Sequence, residues 1–111
     1  MVKKYPQQGD VISIENVPHK LLVVSNQTFN DTGGVVVCPI LKDVTESALH
    51  IPVDCKQVKG TAVCEQLKFF QLKNRSFRIV GSISFFQVTD ISDAIQGIFE
   101  FIAFPTRPGI L

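Results

Sequence analysis

The chain has 111 residues, enough for one domain with one core. Its apolar content of 45% is spread in short pieces, with no uncharged apolar run near the ~18 residues of a membrane span, and the opening MVKKYPQQGD lacks the apolar core of a secretion signal. A cytoplasmic protein that does not enter membranes is expected. The formal net charge of +1 argues against nucleic-acid binding by bulk electrostatics. Three cysteines, Cys38, Cys55 and Cys64, odd in number and without C-x-x-C spacing, suggest neither a disulfide framework nor a zinc site and are expected as buried thiols.

In chain order, Val11-Ile12-Ser13-Ile14 is a short β-rich run and Leu21 to Val24 a continuous apolar run of strand length. The stretch SNQTFNDTGG favours turns, and Val35-Val36-Val37-Cys38 after it is the clearest strand, expected to end near Pro39. KDVTES reads as a polar loop. The alternation from Leu49 to Val53 suits an edge strand that turns His50 outward. Gly60 opens a further strand, TAVCEQL, and FRIVGSIS after the basic turn KNRS supplies the last. From Ser84 the apolar spacing changes to Val88, Ile91, Ile95, Ile98 and Ile102, a helical stripe with a capping-box signal in Ser84 and Gln87 and a stop at Pro105. The expectation is mainly β: a small barrel of about six short strands with one C-terminal α-helix, occupying residues 1–104 as a single domain, with 105–111 as a flexible tail.

Charge is distributed unevenly. Between Lys56 and Arg78 stand six basic residues (Lys56, Lys59, Lys68, Lys73, Arg75, Arg78) and one acid, Glu65, whereas Asp90, Asp93 and Glu100 follow in the helical segment. A local basic face is therefore available to a polyanion. No G-x-S-x-G, P-loop or H-E-x-x-H pattern is present. His19 and Lys20 stand together before the second strand, where an imidazole can exchange protons near neutrality and an ammonium can stabilise developing negative charge. In CEQLK, Glu65 is a candidate base, with Gln66 and Lys68 as hydrogen-bonding and cationic neighbours for a phosphate. Strand alternation separates Glu65 from Gln66 and Lys68, so the three share a site only if the strand ends or bulges near Gln66. Lys73 and Arg75 lie at a turn where a flexible cation can meet a phosphate.

GDV opening the first strand, LLVVS followed by Phe29-Asn30, VVVCP, KGTAVCEQLK and the terminal helix together resemble the MazF/PemK toxins of toxin–antitoxin systems, from Gly9 to about Phe101. The resemblance implies an SH3-like barrel of the CcdB/PemK type, a homodimer, and an endoribonuclease that cleaves single-stranded RNA by 2′-hydroxyl attack without a metal or other cofactor. It also implies a cognate antitoxin whose disordered tail covers the site. His19, Lys20 and Glu65 are then the catalytic candidates, and Gln66, Lys68, Lys73 and Arg75 the RNA-binding ones. The chain departs from the pattern where the family has Arg-Pro before the second strand, here PHKLLVV, and where it has threonine, here Leu41. The arginine that part of the PemK-like branch carries two residues before the acid is Val63. Those departures keep a second function open, a catalytically silent dimeric module that sequesters an antitoxin, and the barrel shared with the CcdB toxins keeps open a third, a gyrase poison acting through the C-terminal PGIL.

Overall fold

Two short segments of the sequence are apolar on both faces, and they form the middle of the sheet. Leu21, Leu22 and Val23 of β2 (Lys20–Val23) are buried without interruption, and in β3 (Gly34–Leu41) Val35, Val37, Cys38 and Ile40 are buried with Val36 and Pro39 half-buried between them. A strand can be apolar throughout only if both faces of its sheet are covered. In the computed structural model, which describes residues 5–100, they are. Residues pointing one way (Val11, Leu22, Cys38, Ile40) pack with Ile91 of the C-terminal helix, and those pointing the other way (Ile12, Leu21, Val23, Val35, Val37) pack with Phe70 and Leu72.

The strands are β1 (Asp10–Ile14), β2, β3, β4 (His50–Cys55), β5 (Val58–Val63), β6 (Lys68–Gln71) and β7 (Phe77–Ser82). They form one antiparallel sheet in the order β4-β5-β3-β2-β1-β7, with β6 on β3. Both edges of β3 are used. One pairs with β2 from Lys20↔Ile40 to Val23↔Val37. The other is divided: its first half pairs with β6 (Gly34↔Gln71 to Val37↔Lys68), its end with β5 (Ile40↔Ala62, Leu41↔Thr61). Cys38 and Pro39 fall between these two partners, so the N–H that proline lacks costs no ladder bond on that edge, and the strand runs on past Pro39 instead of ending there.

The curled, mainly β SH3-like fold with a C-terminal helix holds, and several local expectations are corrected. A seventh strand, β6, occupies Lys68–Gln71. β5 starts at Val58, before Gly60, and ends at Val63, so Cys64 and Glu65 lie in a turn rather than in a strand. The turn-rich segment after β2 contains a one-turn helix, α1 (Gln27–Asn30), whose cap Asn26 accepts the Phe29 N–H at 3.1 Å. The C-terminal helix α2 (Phe85–Ile98) is capped as expected by Ser84, whose hydroxyl accepts the Gln87 N–H at 3.2 Å, but the Gln87 side chain donates to the Pro52 carbonyl instead of closing a capping box. α2 ends at Ile98, well before Pro105, just after the helix-weakening Gly97. Ile91 is buried and Ile95 half-buried, whereas Ile98 is exposed; Ile102, Pro105 and the tail 105–111 lie outside the described residues. Cys38, Cys55 and Cys64 are buried free thiols. A hydrogen bond with Cys64 and burial hold the Cys38 thiol well above the usual range, and hence neutral.

Asn30 ties the periphery to the centre. Fully buried, it donates from Nδ2 to the Pro6 carbonyl (2.8 Å) and the Ser25 carbonyl (3.0 Å), and its Oδ1 accepts from the Ser25 hydroxyl. The same hydroxyl accepts the Val36 N–H at 2.9 Å, joining the start of the chain, α1 and β3. Removing the amide strands the buried Pro6 carbonyl and the half-buried Ser25 carbonyl and hydroxyl, and an unsatisfied buried group costs more than a hydrogen bond contributes. Asn30→Ala is expected to lower the unfolding free energy by about 2–4 kcal/mol in urea denaturation with an unchanged m-value. The exposed Thr28→Ala should shift it by less than about 0.5 kcal/mol.

Candidate active site

The β1–β2 connection is a tight turn. Asn16 takes a left-handed conformation (φ 69°), which asparagine tolerates, and the Val17 N–H donates to the Ile14 carbonyl at 3.0 Å. This turn delivers Pro18 and His19 to the head of β2, with the His19 side chain exposed and Lys20 half-buried. Two grooves meet there. The smaller, about 330 Å³, has a floor of Leu21, Val37 and Pro39 and walls of Val17, Pro18, His19, Gln66, Leu67, Lys68 and Phe70. The larger, about 1010 Å³, runs the other way from Pro18 and His19, past Lys20, Ile40, Leu41, Lys42 and Val58 to Lys56 and Lys59.

His19, Gln66 and Lys68 are therefore brought together in one groove, and His19 and Lys20 in the next. Lys68 and Arg75 also flank the Phe70 ring, at 5.5 and 5.2 Å from its centroid, a cation–π arrangement that fixes both cations near the Gln66 groove. Lys73 is placed elsewhere: its side chain passes over Gly33, and it lines neither groove.

Glu65 is not brought to His19. With β5 ending at Val63, the chain turns through Cys64, whose N–H donates to the Leu49 carbonyl at 2.9 Å, and Gln66, whose N–H donates to the Val63 carbonyl at 3.1 Å. That turn sends Glu65 toward β4, where its Oε2 lies 2.8 Å from His50 Nε2, and sends Gln66 into the groove. His50 Nδ1 lies 2.5 Å from the Thr45 carbonyl oxygen. A carbonyl and a carboxylate are both acceptors, so the arrangement favours the imidazolium form of His50, in which each ring nitrogen carries a hydrogen. The Thr45 carbonyl and then the Glu65 carboxylate raise the His50 pKa above its ordinary value, and His50 in turn lowers that of Glu65. The His50 side chain is 12% exposed and that of Glu65 42%, so water screens the pair only on its outer side.

His50, expected to be an outward edge-strand side chain, is thus the partner of Glu65, and sequence reasoning missed it. The signal was the β4–β5 hairpin: with Lys56 and Gln57 as its turn, His50 falls opposite Val63, two residues from Glu65. The convergence of Lys42 with the hairpin lysines needed the register of β3 on β5 as well.

The sequence profile of the PemK-like, MazF-like toxins of type II toxin–antitoxin systems matches residues 5–99. The chain belongs to that family. Similar solved structures carry the same fold at low identity. A chain of the MazE–MazF complex from Deinococcus radiodurans is 13% identical with a TM-score of 0.78, over 87% of this chain and 98% of that one. An endoribonuclease from a mycobacterial species is 15% identical with a TM-score of 0.75, over 89% and 95%. A chain from a structure of a mycobacterial endoribonuclease in complex with its cognate antitoxin is 15% identical with a TM-score of 0.73, over 85% and 94%. No curated protein sequence matches. Among the described residues no helix of this MazF-like toxin is long and apolar enough to cross a membrane.

The His50–Glu65 contact has a defined pH window. The raised His50 pKa contributes stability that is present below the ordinary histidine value near ~6.5 and lost as pH rises through the raised value. The lowered Glu65 pKa contributes stability that is present above the ordinary carboxylate value and lost as pH falls through the lowered one. The contact is complete between the two. NMR titration of the His50 ring should give a pKa above the ordinary histidine value, falling toward that value in Glu65→Gln. An unshifted His50 in the wild type would contradict the imidazolium assignment.

Proposed function

We propose that this family member is an endoribonuclease toxin that cleaves single-stranded RNA, with the reaction centred on His19. The observation that carries the reading is the meeting of two grooves at that side chain, one bringing Gln66 and Lys68, the other Lys20. In the reaction a ribose 2′-hydroxyl attacks the adjacent phosphorus. His19 takes the hydroxyl proton, the bond from phosphorus to the 5′ oxygen breaks, and an ammonium or water supplies the proton that the leaving oxygen needs. The products are a 2′,3′-cyclic phosphate and a 5′-hydroxyl. Lys20 and Lys68 stabilise the charge that builds on the non-bridging oxygens, and Gln66 hydrogen-bonds the phosphate or the neighbouring base. Arg75 and, further out, Lys73 meet the RNA backbone beyond the smaller groove.

Glu65, expected as a base or acid beside His19, takes a positioning role in this scheme. Its pairing with His50 keeps it ionised and engaged, and the pair fixes the turn that aims Gln66. No metal or other cofactor takes part in this reaction. A second copy of the chain and a cognate antitoxin with a disordered tail belong to the same reading. It is supported by antitoxin complexes among the similar structures and by Phe85 and Phe86 at the start of α2, which are 78% and 79% exposed.

One observation favours the silent-module reading. Leu41, where the family has threonine, lines the lysine groove and offers no hydroxyl to a phosphate. Cleavage of mixed-sequence single-stranded RNA by the purified protein separates the two. Wild type should cut in the presence of EDTA, His19→Ala should lose about 100-fold or more, and Lys20→Ala a comparable factor. Glu65→Gln should lose less than His19→Ala while lowering the His50 pKa. Wild type that leaves RNA intact at micromolar concentration would replace the nuclease reading with the silent module.

A further inference from the structure

We propose that the groove of Lys20, Lys42, Lys56 and Lys59 is a track for the phosphate backbone of single-stranded RNA on the far side of His19 from Gln66. The inference rests on the nuclease reading for the direction of the strand, but not for the binding itself. Four cations arrive there from three parts of the fold: Lys20 heads β2, Lys42 follows the last residue of β3, and Lys56 and Lys59 belong to the β4–β5 hairpin. No aspartate or glutamate lines the groove. Asp54 stands opposite Lys59 in the β4–β5 register, yet no ion pair joins them, and among the described residues none of the four ammonium groups is in a salt bridge.

A concentration of unpaired positive charge is electrostatically unfavourable for the folded chain alone and becomes favourable when a polyanion displaces its counterions. Ile40, Leu41 and Val58 give the groove an apolar floor, and the lysines form its rim. That arrangement suits a strand whose bases turn inward while its phosphates follow the rim. At about 1010 Å³ the groove is some three times the volume of its neighbour of about 330 Å³, so it has room for several nucleotides where the smaller one holds the group beside Gln66. Pro18 and His19 line both, and a strand bound in one continues into the other. Leu41, which cannot hydrogen-bond a phosphate, here contacts a base.

The test measures binding without cleavage. A 2′-O-methyl single-stranded RNA of about 12 nucleotides, which has no free 2′-hydroxyl to attack, is titrated against the full chain at several salt concentrations. Each phosphate contact to a single strand contributes about −0.7 to the slope of log K against log salt. The combined variant Lys42→Gln, Lys56→Gln, Lys59→Gln should flatten that slope by about 2 and weaken binding about tenfold or more near physiological salt. The variant with Arg at the same three positions should restore the slope, which separates a charge effect from misfolding. An unchanged slope in the Gln variant would overturn the track. So would unchanged RNA affinity together with weakened binding of an acidic, leucine-containing peptide, which would make the groove a peptide site. Because the oligonucleotide cannot be cut, failure of the cleavage assay with a flattened slope would remove the nuclease reading and leave the track standing.

Discussion

The structure depends on how β3 shares its edges. A central strand eight residues long meets β2 along one side, while on the other it must satisfy β6 first and β5 afterwards. The two partners cannot both continue along the same edge, and they part at Cys38 and Pro39. The segment that joins them, Cys64 to Leu67, is therefore forced out of the sheet into a turn. The parting leaves a depression floored by Leu21, Val37 and Pro39, and the turn places Gln66 at its margin. The smaller groove is a consequence of sheet topology, and the residues that could do chemistry are those the topology delivers to it.

The same sharing explains why both faces of the sheet are buried. With strands curling away on either side of β2 and β3, α2 covers one face through Ile91, and Phe70 and Leu72, on and just after β6, cover the other. Asn30 locks the start of the chain and α1 onto this framework. Gly9, at φ +94°, lets the chain enter β1 directly beneath α2: a side chain there would press on Val88, and its N–H and carbonyl bond Val23 and Ile83. The GD at the head of β1 is thus a backbone requirement and not a chemical motif.

Much of this was legible in the sequence. The continuous runs of β2 and β3 and the switch to helical spacing after Ser84 are strong local signals, since burial on two faces and burial along a stripe leave different patterns. β6 left none: Phe70 is buried while Lys68, Phe69 and Gln71 are exposed, and the segment is extended because β3 offers it an edge. The expected run TAVCEQL failed for the complementary reason, because β5 stops when β6 claims the next stretch of β3. Glu65 was assigned a face by strand alternation, and alternation has no meaning in a turn. His19, Lys20, Gln66 and Lys68 were legible as residue types with a chemistry, but their grouping was not. It required the register of three strand pairs.

The departures from the family pattern can be understood in the same terms. A single guanidinium before β2 would offer two parallel hydrogen bonds to one phosphate, a directional clamp. His19 and Lys20 offer no fork, and an ammonium acts as a point charge whose effect depends on proximity more than on angle. Four such charges around one groove give no preferred orientation to a single phosphate, but they give a favourable path to a chain of them. Replacing threonine by Leu41 on the floor of that groove removes a polar contact and leaves an apolar surface between cations. If the chain is the RNA-cleaving toxin proposed above, the substitutions move the site from gripping one phosphate toward holding a length of strand, with His19 where the two grooves meet.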